Sequence, residues 1–433
     1  MSLPLFSIII PTCDRPQLLN QTLSAALNVS HGSYEVVVSD NFSGPETREV
    51  VERLRHPRLR YVRTDRRLHM PDSWQFAYEH AKGEYLIILG DDDGIVTNAL
   101  TKLHQIISAT GVELMTWRNF GYYHPDWPSQ MRNTVMLGRL TKHVSLIAAA
   151  YMLRKSNTLE HPALFEFPHG SRFCFSRRLG DAVTSRCGRV FDVPYPDFTS
   201  SLYMLATMAD NYYAYYDGPV SFTTYSYNSN SAIVLSRRKR NTKRAESFFS
   251  EFAESLYRYA PLKSHLIWNG HAECVLRMRA HFQLPPELGQ FDFAKYFLMC
   301  HTSIVEDDLS DVTRDSDELL QEFRRVLGLQ PASVRAQYEL LRTQQRRWGF
   351  GQLEGGIGRH LARRLPRSVK ESVKASKLFR RAAEFVSGNR LAVSGDDHGF
   401  SNLTELCTKL EGLVGDDEPF MNVLRPAAEA ARD

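Results

Sequence analysis

Three consecutive aspartates, Asp91, Asp92 and Asp93, carry the strongest chemical signal in this chain of 433 residues. They follow the apolar run YLIIL, and Gly90 and Gly94 flank them. Adjacent carboxylates repel one another, and dissolved salt screens that repulsion only in part. A divalent cation relieves it, because carboxylate oxygens suit Mg²⁺ or Mn²⁺, often together with substrate phosphates. The pattern predicts a metal site after a buried strand, and the alternative is a solvated acidic turn that caps the next helix.

Two further polar clusters also follow apolar runs. Thr12 and Arg15 lie in the segment PTCDRP, where the N-terminus of a helix would face a phosphate group. Asp14 can instead cap that helix. Asp40 and Asn41 can form hydrogen bonds with a base or a ribose, and they also favour a simple Asx-turn.

The first 110 residues alternate between β-rich runs and helical patterns. Strands are predicted at Phe6–Ile10, Tyr34–Ser39, Leu59–Val62 and Tyr85–Leu89, with helices between them and a further helix over about 98–108. This order predicts an α/β fold, with an open, mostly parallel twisted sheet and helices on both faces. Ligands bind such sheets at the carboxyl ends of the strands. All three polar clusters lie at those ends, and we expect them to share one crevice.

The order of FSIIIPTCDRP, YEVVVSDNFSG and GEYLIILGDDDGI resembles the family 2 glycosyltransferases of the GT-A fold. The resemblance covers residues 5–110 closely and 111–225 loosely. It implies a nucleotide-sugar donor, a divalent metal on the donor diphosphate, and inversion at the anomeric carbon. The family more often has LDxDD, and Gly90 stands where its first aspartate would be. The division of roles among the three aspartates therefore stays open.

The resemblance also implies donor contacts. It places Asp91 at the ribose and makes Asp92 the main metal ligand, with Asp93 beside it as a second metal residue. Trp74 lies in a segment that often faces the donor in this family, and the alternative is core packing. The predicted donor-binding residues are Pro11, Thr12, Arg15, Asp40, Asn41, Trp74 and Asp91.

Inverting transfer needs a general base that removes the proton of the acceptor hydroxyl. The family has a carboxylate for this before a helix well downstream of the metal motif, and Asp197 in PYPDFTSSLYMLA is the best match. A capping role for Asp197 is the alternative, and Asp192 and Asp181 are reserve candidates for the base. His161 and His169 flank an aromatic loop from which either can reach the metal or the acceptor.

Length predicts two to three domains at about 150 residues each. We assign residues 1–235 to the GT-A-like catalytic domain, with 1–110 as the nucleotide-sugar-binding half and 111–235 as the acceptor half. Residues 236–433 show mainly helical patterns and form a C-terminal domain with basic segments.

The formal net charge of +4 hides an uneven distribution. Residues 237–244 carry six basic groups, and residues 359–381 carry nine basic groups and one acid. The remaining residues therefore carry a net charge of −10. This clustering predicts a local anionic partner and no nucleic acid. Residues 237–244 suit the donor diphosphate, a phosphorylated acceptor or a solvated linker. Residues 359–381 also have an apolar stripe, which suits peripheral contact with an anionic membrane or packing on their own domain.

Six irregularly spaced cysteines indicate reduced thiols and a cytoplasmic protein. We find no signal peptide and no run long enough to cross a bilayer, so the expected location is cytoplasmic, with peripheral contact at the inner face of the cell membrane. The expected acceptor is a glycan or a lipid-linked saccharide. Alternatives are a metal-dependent nucleotidyltransferase, for which the first strand lacks a Gly-rich basic loop, and a non-catalytic sugar-binding module.

Overall fold

The computed structural model describes residues 3–127, 131–138, 140–161, 164–226, 256–305, 316–348, 390–414 and 420–424. The basic segments 237–244 and 359–381 lie outside these described residues, so the predictions made for them stay predictions. No helix in the described ranges combines the length and apolarity that a membrane crossing requires. All six cysteines fall inside the described ranges, and none is in a disulfide.

The N-terminal elements follow the predicted β-α alternation. They are β1 (Phe6–Thr12), α1 (Pro16–Leu27), β2 (Tyr34–Asp40), α2 (Pro45–Leu54), β3 (Leu59–Arg63), α3 (Met70–His80) and β4 (Tyr85–Ile88). Proline at the first turns of α1, α2 and α3 suits helix starts, because proline presets φ and its missing N–H is not needed there. The predicted elements of this half are confirmed, with ends that differ by a few residues.

The elements of the middle of the chain complete the site region. They are β5 (Gly94–Ile95), α4 (Ala99–Thr110), β6 (Leu114–Trp117), β7 (Gly121–Tyr123), β8 (Thr134–Gly138), β9 (His143–Ala148), α5 (Ala149–Asn157), β10 (Phe173–Ser176), α6 (Arg177–Cys187), α7 (Pro196–Thr207), β11 (Tyr212–Tyr216) and β12 (Ser221–Tyr225).

The C-terminal part contains helices and two strands. The elements are α8 (Ile267–His281), α9 (Phe293–Val305), α10 (Ser316–Gly328), α11 (Ala332–Trp348), β13 (Arg390–Ser394), α12 (Gly395–His398), α13 (Leu403–Val414) and β14 (Phe420–Leu424). The mainly helical character is confirmed, and the two strands are additions that the sequence did not predict. β13 pairs with β8 and β14 pairs with β9, so both strands form by joining sheets built far upstream in the chain.

A nine-stranded sheet, in the order β14-β9-β11-β6-β10-β4-β1-β2-β3, organises the described part of the chain. The strands β4, β1, β2 and β3 are parallel neighbours, whereas β10 runs antiparallel to both β4 and β6. A second sheet has five strands in the order β13-β8-β7-β12-β5. The predicted α/β class with a mostly parallel sheet is confirmed, and the antiparallel pairs make the large sheet mixed.

Alternate side chains of β1 lie in two hydrophobic cores, one on each side of the sheet. Ile9 belongs to the core that contains α7, α8 and α9, while Ile8 and Ile10 belong to the core that contains α1 and α4. Successive side chains of a strand point to opposite faces, which explains the division. Residues of the C-terminal part, such as Val275 and Leu406, lie in the first and second core respectively. The domain boundary at residue 235 stays a prediction.

Candidate active site

The carboxyl ends of β1, β2 and β4 bring the three polar clusters together. Thr12 Oγ1 donates a hydrogen bond to Asp91 Oδ2 at 2.7 Å, which joins the end of β1 to the loop after β4. The backbone N–H of Asp14 donates to Ser43 Oγ at 2.9 Å, and that of Gly44 donates to Asp14 Oδ1 at 3.1 Å. These bonds join β1 to the loop after β2. These contacts show that the three polar clusters lie together, and the crevice for a ligand stays a prediction.

Arg15 pairs with two of the three aspartates. Its guanidinium makes a two-pronged contact with Asp91, in which Nη2 reaches Oδ1 and Nε donates to Oδ2 at 3.1 Å. Nη1 donates to Asp92 Oδ2 at 3.1 Å. We expected Arg15 to face a phosphate, and the structure instead engages it with carboxylates, because fully buried Asp91 needs a paired charge. We call Thr12, Arg15, Asp91, Asp92 and Asp93 the strand-end cluster.

Burial is the largest influence on the pKa values of Asp91 and Asp93 in the strand-end cluster. Burial and the neighbouring Asp92 raise the pKa of Asp91 to about 6, although the Arg15 charge and the hydrogen bonds from Thr12 and Arg15 oppose this. Burial and Asp92 also raise the pKa of Asp93 well above its usual range, although the Thr224 N–H donates to Asp93 Oδ1 at 2.9 Å. One guanidinium therefore leaves the three carboxylates short of positive charge.

Gly90 leaves room beside two carboxylate oxygens. A Cβ at this position would lie 2.7 Å from Asp93 Oδ2 and 3.1 Å from Asp92 Oδ1, so a larger residue would push these oxygens away. Within the described ranges, no group of three or more His, Cys, Asp or Glu side chains forms a ready metal site. The Asp92 and Asp93 carboxylates beside Gly90 still fit Mg²⁺ or Mn²⁺, because Mg²⁺ often binds one or two carboxylates and completes its shell with phosphates and water.

Asp40 holds its own loop together. Its Oδ2 accepts hydrogen bonds from the Tyr61 hydroxyl and from Arg63 Nη1, the latter at 2.8 Å, and its Oδ1 accepts from the Ser43 N–H at 2.9 Å. The residue is fully buried. The structure therefore uses Asp40 as a loop anchor, and its contact with the nucleoside stays a prediction.

In the loop after β2, Asn41 stabilises the backbone, whereas Phe42 is exposed. The Asn41 side chain donates to the Leu68 carbonyl and accepts from the Leu68 N–H, both at 2.8 Å. Phe42 has a φ of 57° and is 44% exposed, an unusual backbone for a bulky residue. Sequence reasoning missed Phe42, although its place between two turn-forming residues was visible. Pro11, another predicted donor contact, is partly exposed near the end of β1.

Trp74 packs inside the protein. It lies on α3, is partly buried, and meets Phe191 edge-to-face at 5.5 Å between ring centroids. Two residues earlier, Asp72 accepts a hydrogen bond from Arg189 at 2.7 Å, which fixes the start of α3 against the loop before α7. The structure shows the packing role for Trp74, and its contact with the donor stays a prediction.

Asp197 lies in the first turn of α7, after the N-cap residue Tyr195, so it is not the predicted capping residue itself. Its Oδ2 is 3.0 Å from His169 Nε2, and its Oδ1 accepts from the Phe198 N–H at 3.1 Å. Burial acts to raise the pKa of Asp197, but His169 and this N–H outweigh it, and the pKa lies below the usual value. Asp197 is therefore ionised at neutral pH. We call His169 and Asp197 the loop–helix pair.

The reserve candidates for the base have structural partners. Asp192 Oδ2 accepts a hydrogen bond from the Tyr203 hydroxyl at 2.9 Å and lies 3.7 Å from Arg277. Asp181 Oδ1 accepts from the Tyr78 hydroxyl at 2.8 Å. These contacts use both carboxylates in packing between helices and loops, and the role of Asp197 as the base stays a prediction.

His161 has no surface through which to meet a metal or an acceptor. It is fully buried, neither ring nitrogen has a hydrogen-bond partner in the described part of the chain, and burial lowers its pKa well below the usual value. Its ring packs against Phe167 at 4.8 Å. The predicted contact of His161 with the metal or the acceptor is not supported by this placement, whereas His169 is partly exposed beside Asp197.

Comparison with known proteins finds a family match for the N-terminal part. Residues 7–173 match the family model described as "Glycosyl transferase family 2". This range includes the strand-end cluster and His169, and it ends before Asp197.

Curated relatives match about a quarter of the chain. A GalNAc(5)-diNAcBac-PP-undecaprenol beta-1,3-glucosyltransferase of Campylobacter jejuni is 30% identical over 106 residues, which is 24% of this chain and 34% of that protein. An uncharacterized glycosyltransferase of Haemophilus influenzae is 28% identical over 104 residues, 24% of this chain and 42% of that protein. The chain thus spans well under half the length of these two relatives.

Solved structures of S. aureus TarS are similar at low identity. TarS 1–349 in complex with UDP-GlcNAc has a TM-score of 0.41 and 15% identity, and the match covers 79% of this chain and 91% of that one.

Proposed function

We propose that this protein transfers a sugar from a nucleotide-diphosphate donor to an acceptor hydroxyl with inversion. The match of residues 7–173 to the family 2 glycosyltransferase model supports this proposal. The observation that carries the proposal is the strand-end cluster. Arg15 pairs with Asp91 and Asp92 at the carboxyl ends of two neighbouring parallel strands, where ligands bind in this type of sheet.

The donor would bind along these strand ends. Asp92 and Asp93 would hold a divalent cation over Gly90, and this cation would neutralise the charge of the departing diphosphate. Arg15 would keep Asp91 ionised for the ribose. The proposed donor contacts remain Pro11, Thr12, Arg15, Asp40, Asn41, Trp74 and Asp91.

The acceptor hydroxyl would meet Asp197. The oxygen of the acceptor hydroxyl attacks the anomeric carbon and forms the new bond. The bond from that carbon to the diphosphate oxygen breaks, and its electron pair leaves with the diphosphate. The hydroxyl proton moves to Asp197. At neutral pH the Asp197 carboxylate carries no proton and can accept one, although its lowered pKa makes it a weaker base than an aspartate without these partners.

A glycan or a lipid-linked saccharide is the acceptor class that we propose, at the cytoplasmic face of a membrane. The Campylobacter jejuni relative has a name that includes PP-undecaprenol, a lipid-linked diphosphate. The basic residues of 359–381 offer attraction to an anionic membrane surface of about 1 kcal/mol each.

The test is a donor screen with the full chain. UDP-glucose, UDP-N-acetylglucosamine and GDP-mannose are incubated with and without Mn²⁺, and the released nucleotide is identified. Release of a nucleoside diphosphate that depends on Mn²⁺ is expected. Release of pyrophosphate from sugar phosphate and nucleoside triphosphate would instead indicate a nucleotidyltransferase, and nucleotide-sugar binding with no release would indicate a binding module.

A further inference from the structure

The loop–helix pair has the geometry of a shared proton. His169 lies in the loop before β10, and its Nε2 is 3.0 Å from Asp197 Oδ2. Two atoms that only accept hydrogen bonds would repel each other at this distance, so a proton lies between them. His169 Nδ1 is 3.2 Å from the Ser171 hydroxyl, which can either donate to this nitrogen or accept from it. The ring therefore keeps its contact with Asp197 whether it is neutral or charged.

Packing fixes both members of the pair. A Cβ at Gly170 would come within 2.4 Å of Asp197 Cα, so only glycine lets the loop lie this close to α7. The Phe198 ring meets the His169 ring edge-on at 4.6 Å. Both side chains remain partly exposed, 24% for His169 and 20% for Asp197, so a substrate hydroxyl can reach the carboxylate.

Other titratable groups around the pair stay neutral. Burial lowers the pKa of His271 to about 3, despite the attraction of Asp197. Burial also lowers the pKa of His161 well below the usual value, and it raises the pKa of the Cys274 thiol to about 12. Between about pH 5 and pH 8, none of these three groups changes its charge.

We propose that His169 is a positioning residue for Asp197. Neutral His169 holds the Asp197 carboxylate by donating the Nε2 proton to it. Protonated His169 prevents Asp197 from acting as a base. The proposal rests on the proposed role of Asp197 in accepting the proton of the acceptor hydroxyl. Neutral His169 donates one hydrogen bond and leaves the charge of the carboxylate uncompensated. Protonated His169 places a full positive charge 3.0 Å from Asp197, which makes the carboxylate a weaker proton acceptor.

The kinetic test uses hydrolysis of the nucleotide sugar that gives the fastest release in the donor screen, with water as the acceptor. The rate is followed from pH 4.5 to 8.5 for wild type, His169→Gln, His169→Ala and the control His104→Gln, which changes an exposed histidine on α4. Glutamine can still donate a hydrogen bond but cannot gain a proton. We expect the plateau rate of His169→Gln to stay within about threefold of wild type, and its acid limb to move down by about one pH unit or more.

The remaining variants define the outcomes. His169→Ala should lose about tenfold at the plateau, because the carboxylate is no longer held, and His104→Gln should match wild type. If the acid limbs of wild type and His169→Gln coincide, the inference is wrong. If Asp197→Asn hydrolyses the donor as fast as wild type, the proposed function of Asp197 fails instead.

A second readout needs no turnover. Nitrogen-15 NMR of the histidine rings at pH 7.5, with the His169 signal assigned from its loss in His169→Gln, should show the proton on Nε2. In Asp197→Ala the Nε2 signal should shift, because its hydrogen-bond acceptor is gone. A proton on Nδ1 in the wild type would overturn the proposal even if no hydrolysis were detectable.

Discussion

The strand-end cluster and the loop–helix pair both contain partly or fully buried carboxylates, yet a different kind of partner faces the carboxylates in each region. In the first, Arg15 supplies a permanent charge, and the aspartates lie in the turn after β4, a strand that pairs in parallel with β1. In the second, Asp197 faces His169, whose charge depends on pH, and one partner lies in a loop. A permanent counter-charge suits the binding of a highly charged diphosphate, whereas a titratable partner suits a step in which a proton moves.

The first prediction removes the metal residue of the strand-end cluster. Asp92→Ala should abolish transfer and remove the Mn²⁺-dependent tightening of nucleotide binding, because Asp92 is the least enclosed of the three aspartates and borders the room at Gly90. Asp93→Ala should be milder if Asp93 mainly supports Asp92. Turnover and nucleotide affinity with and without Mn²⁺ check this, with Asp65→Ala as an exposed control. Unchanged turnover in Asp92→Ala would refute the assignment.

The second prediction breaks the loop–helix pair without changing its shape. Asp197→Asn should cut turnover by about 10²-fold or more while the nucleotide still binds, because the amide cannot accept the proton. Steady-state rates and calorimetric donor binding measure the two effects separately. Asp210→Asn, an exposed change shortly after α7, is the matched control. Loss of folding in Asp197→Asn, with full activity in the molecules that remain folded, would assign Asp197 a purely structural role.

The third prediction compares the two regions by stability. Arg15→Met should lower the free energy of unfolding by about 3 to 5 kcal/mol, because it leaves the fully buried Asp91 without its paired charge. His169→Gln should cost far less, because both partners keep contact with water. Urea unfolding at pH 7.5 measures both variants, and Arg48→Met, which removes an exposed ion pair with Glu52, serves as control. Equal losses in Arg15→Met and Arg48→Met would contradict the role given to Arg15.

Local patterns were sufficient to predict the elements around the strand-end cluster. Apolar runs that end in proline, glycine or aspartate mark both the buried strands and their polar ends, so β1, β2 and β4 were predicted. The convergence of their ends followed from parallel pairing alone. The pairing of Arg15 with Asp91 was missed, because it joins residues 76 apart in the sequence and no local pattern records the distance.

The remaining errors have the same physical origin. β13 and β14 exist through pairing with β8 and β9, and a short strand without a strong pattern of its own takes its conformation from such partners. The contact between His169 and Asp197 depends on a close approach at Gly170, which only the folded loop reveals. Side-chain roles such as that of Asp40 were also undecided in the sequence, because the residue types that bind a nucleoside also stabilise turns.

The last prediction concerns the smallest effect, the pH dependence of stability that the strand-end cluster produces. The pKa of Asp91 is raised to about 6, and that of Asp93 is also raised, both chiefly by burial. The folded state therefore binds more protons than the unfolded state, so the contribution of these groups is complete below about pH 4 and is lost as the pH rises through the folded-state pKa values. Paired carboxylates such as Glu160, whose pKa is lowered to about 2, affect stability at lower pH and do not interfere above pH 5.

Chemical unfolding at pH 5 and pH 8 measures this effect. Between the two pH values, the free energy of unfolding should fall further in wild type than in Asp93→Asn, by about 1 to 3 kcal/mol. Saturating Mn²⁺ should restore stability at pH 8 by about 2.7 kcal/mol at a hundredfold excess over Kd, and much less at pH 5, where protons compete with the cation. The same pH dependence in wild type and Asp93→Asn, together with no effect of Mn²⁺ at either pH, would show that Arg15 alone balances the cluster.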